Sequence, residues 1–215
     1  MAASNVLADK RAKTLRMVQI ALLAALEVIL TLLYIPLGTI NLNFGLVPIV
    51  VAGVLLSPLC GALIGAVSGL VTMIQVLTGQ SVFYMFLVET NPAAACVLCV
   101  VKTAAAGLIA GLAYKAIAGI GKNAEHHRSL YPTVGSVVSA VLCPVVNTGV
   151  FAVGMIAVFG PAIMNHPEIS QWGANLTAIV FLALIGVNFF VEFALNIIVC
   201  PVLLRTLMMT RFFRK

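Results

Sequence analysis

Charge is what this chain has least of. Its 215 residues include 12 Lys/Arg and 6 Asp/Glu, which is 8% of the sequence. A soluble domain of ordinary composition is about 25% charged. So few ionisable groups do not coat a water-exposed globule, and a soluble enzyme and a disordered chain are both excluded. Cysteine is also sparse. The five thiols (Cys60, Cys96, Cys99, Cys143 and Cys200) fall in or at the ends of apolar segments, where small apolar packing is their reading. The Cys96-x-x-Cys99 pair has no second pair and no nearby His, so neither a disulfide scaffold nor a metal site is expected. No Gly-x-x-x-x-Gly-Lys-Ser/Thr run occurs, and no extension exceeds about 16 residues, so no nucleotide-binding module is expected. The three histidines (His126, His127 and His166) lie in loops. With no Ser/His/Asp set, metal cluster or paired acids, no enzyme and no cofactor is expected.

What is present is hydrocarbon: 62% hydrophobic residues and a mean hydropathy of +1.17. The solvent for such a chain is a lipid bilayer. A helix needs about 20 apolar residues to cross about 30 Å. Six segments are read: H1 17–35, H2 44–56, H3 59–77, H4 92–118, H5 132–159 and H6 176–208. H2 is too short to span by itself. Pro92 and Pro132 suit helix starts, Asn91 suits an N-cap, and Gly160-Pro161 reads as the close of H5. The fold class is therefore an all-α, six-span membrane protein. Residues 1–16 form a basic N-terminal segment, 17–208 a single membrane domain and 209–215 a basic tail.

Basic residues set the orientation. Lys10, Arg11, Lys13 and Arg16 precede H1; Lys115, Lys122 and Arg128 lie between H4 and H5; Arg205, Arg211, Arg214 and Lys215 follow H6. The other three connections contain no Lys or Arg. The positive-inside rule puts both termini in the cytoplasm, so the net charge of +6 is a topology signal and not a nucleic-acid patch. H1 lacks a small-residue cleavage site and is read as a retained span, not a signal peptide. The loops 34–43, 78–89 and 160–175 then face outward, and Trp172 is either a lid residue or an interfacial anchor.

Three ionisable residues fall inside spans: Glu27, Lys102 and Glu192. Such residues are costly in hydrocarbon and are functional candidates by default. At 1.5 Å per residue each lies roughly 16–20 Å from its basic flank, near the midplane, so Lys102 is expected to pair with one of the acids. On H6, Asn188, Glu192 and Asn196 recur every four residues as one stripe. Asn91 and Lys102 share a face of H4, and Asn147 follows Pro144 on H5. These groups suit a small-molecule pocket opening outward. On H1, Gln19, Leu23, Glu27 and Thr31 form one face, with Ala21-x-x-x-Ala25 on the opposite one. Gly61-x-x-x-Gly65-x-x-x-Gly69 and Gly107-x-x-x-Gly111 permit close helix packing within the chain.

These residues together resemble the substrate-binding S components of energy-coupling factor (ECF) vitamin transporters. The likeness rests on the six spans, the alanine motif, the run from Asn43 to Gly53, Leu56–Ala62, Asn91-Pro92, Lys102, Gly107–Lys115 and Cys143–Gly149. The resemblance implies a multi-pass subunit of the bacterial cytoplasmic membrane. It would capture a vitamin or precursor from outside and deliver it through a transmembrane coupling subunit and two ATPases. Ala21 and Ala25 would contact the coupling subunit. Expected substrate residues are Asn91, Lys102, Asn147, Asn188, Glu192 and Trp172. Lys102 tilts the ligand toward an anion such as pantothenate; a Lys102 satisfied by an acid would leave a neutral ligand such as riboflavin equally suitable. The alternative is a stand-alone, proton-coupled secondary transporter using Glu27 and Glu192 as relays.

Overall fold

The computed structural model describes residues 2–33, 35–37, 40–42, 44–78, 82–121, 130–166, 175–180 and 186–210. In chain order these form α1 (Ala2–Leu32), β1 (Ile35–Leu37), β2 (Ile40–Leu42), α2 (Leu46–Leu55), α3 (Pro58–Leu77), α4 (Val82–Thr90), α5 (Pro92–Gly121) and α6 (Leu130–Gly154). A π-helical turn (Met155–Phe159), α7 (Gly160–Asn165), the single turn α8 (Leu176–Ala178) and α9 (Gly186–Met209) follow. Among the described residues five helices, α1, α3, α5, α6 with its extension, and α9, are long and apolar enough to cross a membrane. The protein is all-α and polytopic, as its composition requires.

The short sixth segment has a distinct place. Every residue of α2 from Leu46 to Leu55 is buried. It packs against α1, α3, α5, α6 and α9. Ten residues span about 15 Å, half a bilayer. A helix apolar on all sides belongs inside a protein or a membrane; here the protein encloses it.

Glycine makes the enclosure possible. A Cβ on Gly61 of α3 would stand 2.6 Å from the carbonyl oxygen of Gly107 on α5 and 2.8 Å from Cα of Gly53 on α2. Gly65 and Gly69 lie equally close to the backbone of α5 around Thr103 and Val100. The small-residue stripes thus serve packing within the chain. Ser139 of α6 donates to the Ala110 carbonyl of α5 at 2.8 Å, tying the next pair.

Several boundaries depart from the sequence reading. The 34–43 connection contains a two-stranded antiparallel hairpin pairing Ile35 with Leu42 and Leu37 with Ile40. The 78–89 connection contains α4, whose apolar run VFYMFLVET has the composition of either helix or strand. Gly160-Pro161 does not close H5: Pro161 sits in the first turn of α7, where its missing N–H is not needed, and helical structure runs on to Asn165. The basic residues before H1 belong to the same helix as the span, joined by the Lys13–Asp9 ion pair (2.9 Å). H6 is represented by α8 and, from Gly186, α9; residues 181–185 between them lie outside the described set.

Candidate functional site

The described residues form two apolar cores. The first gathers Leu23, all of α2's large residues, Cys60, Ile64, Ala106, Ala110, Ala140, Cys143, Cys200 and Leu204. The second gathers Leu87, Ala95, Ala152, Met155, Phe159, Ile163, Ile179 and Val180, with Phe86, Phe151 and Phe189 against it. The long helices also carry a set of polar residues, the polar layer: Glu27 and Thr31 on α1, Ser68 and Thr72 on α3, Lys102 and Thr103 on α5, Asn147 on α6, Glu192 and Asn196 on α9.

The α1 part is closed by hydroxyls. Glu27 is 0% exposed. The Thr31 hydroxyl donates to Glu27 Oε1 at 2.8 Å, and Ser68 of α3 forms a second hydrogen bond to the carboxyl. Gln75 Nε2 donates to the Thr31 carbonyl at 3.2 Å, joining α3 to α1 again. Of the two acids offered to Lys102, Glu27 takes its side-chain hydrogen bonds from the hydroxyls of Thr31 and Ser68.

Lys102 stands elsewhere in the layer. Its Nζ lies 4.6 Å from the centre of the Phe151 ring, a cation–π contact worth about 0.5–2 kcal/mol. Phe151, Asn147 and Cys143 are successive members of one i, i+4 row on α6. Cys143 in turn lies within electrostatic reach of Glu27, Glu192 and Cys200. The α6 row is therefore a wall shared by Lys102 at one end and by α1 and α9 at the other. Asn147 is half-buried, and its Oδ1 is buried with no hydrogen-bond partner among the described residues. An orphaned buried acceptor is uncommon in folded chains.

On α9 the stripe turns inward. Glu192 is 5% and Asn196 3% exposed. Asn196 Nδ2 donates to the Glu192 carbonyl at 2.9 Å, and the Cys200 thiol donates to Asn196 Oδ1 at 3.3 Å. Asn188 lies one turn earlier on the same helix by its backbone; its side chain is outside the described set. Trp172 also lies outside it. Asn91 is not brought to this layer. It is exposed and caps α5, its Oδ1 accepting from the Ala94 N–H at 3.0 Å, about 16 Å along the helix from Lys102.

Sequence reasoning missed the aromatic side of the layer. Phe86 meets His166 edge-on at 5.2 Å, and Phe189 packs on Phe193 at 5.4 Å. Phenylalanine in an apolar helix carries no signal of its own, so only the fold assembles these rings. Ser68 and Thr72 were also silent, since hydroxyls are common in membrane helices. Ala21 and Ala25 are both exposed on the outward face of α1.

A helical bundle with a buried half-span and buried polar side chains on its long helices defines a polytopic membrane protein. Residues 15–204 match the model of the family described as ECF transporter, substrate-specific component, and the chain belongs to that family. No curated protein shows significant sequence similarity to it. The family is a transporter component that binds small substrates in concert with a membrane coupling subunit and ATPases, and is not an enzyme class.

Proposed function

We propose that the chain captures a small anionic vitamin or precursor, of the pantothenate kind, and that the polar layer is its binding site. The observation that carries this reading is the juxtaposition of Lys102, against Phe151, with the orphaned Asn147 Oδ1 one turn away on the same α6 row. An ammonium satisfies a carboxylate by a charge-assisted hydrogen bond, and an amide oxygen takes a hydroxyl or amide donor. Pantothenate offers both kinds of group. Glu192 and Asn188 on α9 complete the proposed set by accepting from ligand hydroxyls. Asn91 is left to its capping role.

The basic-flanked end of the bundle is assigned to the cytoplasm by the distribution of Lys and Arg. The exposed face of α1, with Ala21 and Ala25 between Val18, Leu22, Leu26 and Ile29, is the proposed seat of the coupling subunit. Small residues permit close helix approach there, and two ATPases would supply the energy through that subunit.

Lys102→Ala is expected to weaken pantothenate binding by the purified protein about tenfold or more, equivalent to about 1.4 kcal/mol. Native mass spectrometry of the purified chain, searched for a co-purified solute, gives an independent check. An unchanged affinity would remove Lys102 from the site, and a co-purified neutral solute such as riboflavin would replace the anion. Uptake by proteoliposomes containing this chain alone, driven by a proton gradient, would overturn the coupled mechanism in favour of a secondary transporter.

A further inference from the structure

Glu27 has no part in the proposed site, yet it is a fully buried ionisable residue, 0% exposed. Such a group in a membrane interior is expensive unless it does something. Its surroundings join three separate stretches of chain. Thr31 bonds it from its own helix and Ser68 from α3. The third is the turn that opens α2: a Cβ on Gly45 would lie 2.7 Å from Glu27 Oε1 and 2.7 Å from Thr31 Oγ1. The carboxyl is thus seated directly against the start of α2, and glycine is what leaves it room.

That start needs a polar neighbour. The first N–H groups of a helix have no partners within it; here the Val47 N–H is met by the Phe44 carbonyl at 3.2 Å and Pro48 has none, so what this end chiefly presents is the partial positive charge of the helix dipole. The N-cap of α2 is Gly45, which has no side chain to offer. Glu27 reaches that end from α1, with Oε2 uncommitted to any hydrogen bond among the described residues.

The start of α2 is continuous with the hairpin. β2 ends at Leu42, three positions before Gly45, and β2 packs against α9, the helix that carries Asn188 and Glu192. We infer that Glu27 is a positioning residue: by holding the N-terminus of α2 it fixes the hairpin against α9, and so shapes a substrate site that it does not touch. This rests on the reading of the polar layer as the binding site. Position is transmitted through backbone: Glu27 to Gly45, Gly45 to β2, β2 to α9.

The test uses the full chain in nanodiscs, with Asn41→Cys in β2 as a reporter and the unsubstituted chain as the control for native thiols. Glu27→Leu should raise the labelling rate of the reporter by a soluble maleimide about fivefold in the absence of any ligand. It should also weaken pantothenate binding about tenfold, through faster dissociation. Glu27→Gln, which keeps an acceptor, should restore both to within about threefold of the parent. A Leu59→Cys reporter at the opposite end of α3, where Leu59 is 75% exposed, should label unchanged in all variants, which separates local release of the hairpin from general loosening. If Glu27→Leu does not fold, the Ser68→Ala, Thr31→Val pair, which leaves Glu27 in place but unsupported, is expected to give the same labelling rise. Unchanged Asn41→Cys labelling in the folded variants, or an equal rise at both reporters, overturns the proposal. Because labelling needs no ligand, a parent chain that fails to bind pantothenate but shows the localised rise overturns the choice of substrate alone.

Discussion

Gly107→Leu should yield no monodisperse protein. Three helices meet at this residue, and the atoms that crowd it are largely backbone. A Cβ on Gly111, one turn on, would stand 2.7 Å from Cα of Pro58 and 3.0 Å from the carbonyl oxygen of Gly53. The reciprocal contacts of Gly61 and Gly53 fall on Gly107 itself. Flexible side chains step aside from an intruding methyl, but helix backbones do not. Overpacking a core costs about 1–3 kcal/mol where neighbours adjust. Here α3 and α5 must part along their length, which removes two walls of α2 at once. A loss of several such increments is comparable with the whole stability of a typical domain, about 5–15 kcal/mol. Size-exclusion chromatography after detergent extraction is the check, with Gly149→Leu as the control. A Cβ on Gly149 meets nothing within 4 Å, so that variant should elute as the parent does. A normal peak and thermal midpoint for Gly107→Leu would show the junction to be slack.

Ala25→Trp should abolish capture of the coupling subunit and leave substrate binding by the isolated chain intact. The substitution is made on a face that none of the described residues covers: Leu22 is 57% and Ile29 54% exposed on either side of it. The inward row of the same helix, Gln19, Leu23, Glu27 and Thr31, is buried, so an indole at position 25 points away from the polar layer. An added indole holds a docking helix several ångströms off, and van der Waals contact falls away over less than that. Pull-down of the coupling subunit is expected to drop more than about tenfold, and ATP-driven uptake with it. Equal capture by Ala25→Trp and the parent would move the docking face elsewhere.

The periodic parts of this molecule were legible from residue order. The four-residue spacing of Gln19, Leu23, Glu27 and Thr31 marks the buried face of α1, and the structure buries all four. Asn196 and Glu192 repeat the lesson on α9, extended by Cys200 and Leu204. Asn91 was readable as a cap because its signal is local: an amide immediately before Pro at a helix start. What residue order withheld was non-local. The hydroxyl of Ser68 is one of many in apolar helices, and only the crossing of α1 over α3 makes it a partner of Glu27. Equal depth suggested that Lys102 meets an acid; that the same Nζ lies 4.6 Å from the Phe151 ring centre was not legible, because depth is one coordinate of three. The helix α4 and the hairpin lie in short apolar runs, where periodicity does not separate helix from strand or loop.

The half-span α2 has a consequence for how the chain is made. A helix of ten residues is poorly held by lipid on its own, because its ends stop short of the headgroups, so Ser57-Pro58 and α3 must carry it into the bilayer as one hairpin. Its walls arrive later and in order: α5, then α6, then α9 from the last part of the sequence. The centre of the bundle is therefore closed only when α9 has arrived. Until α9 leaves the ribosome and docks, the most apolar helix of the chain stands with one side open, and a nascent chain halted before Gly186 would present that open side to the insertion machinery and to quality control.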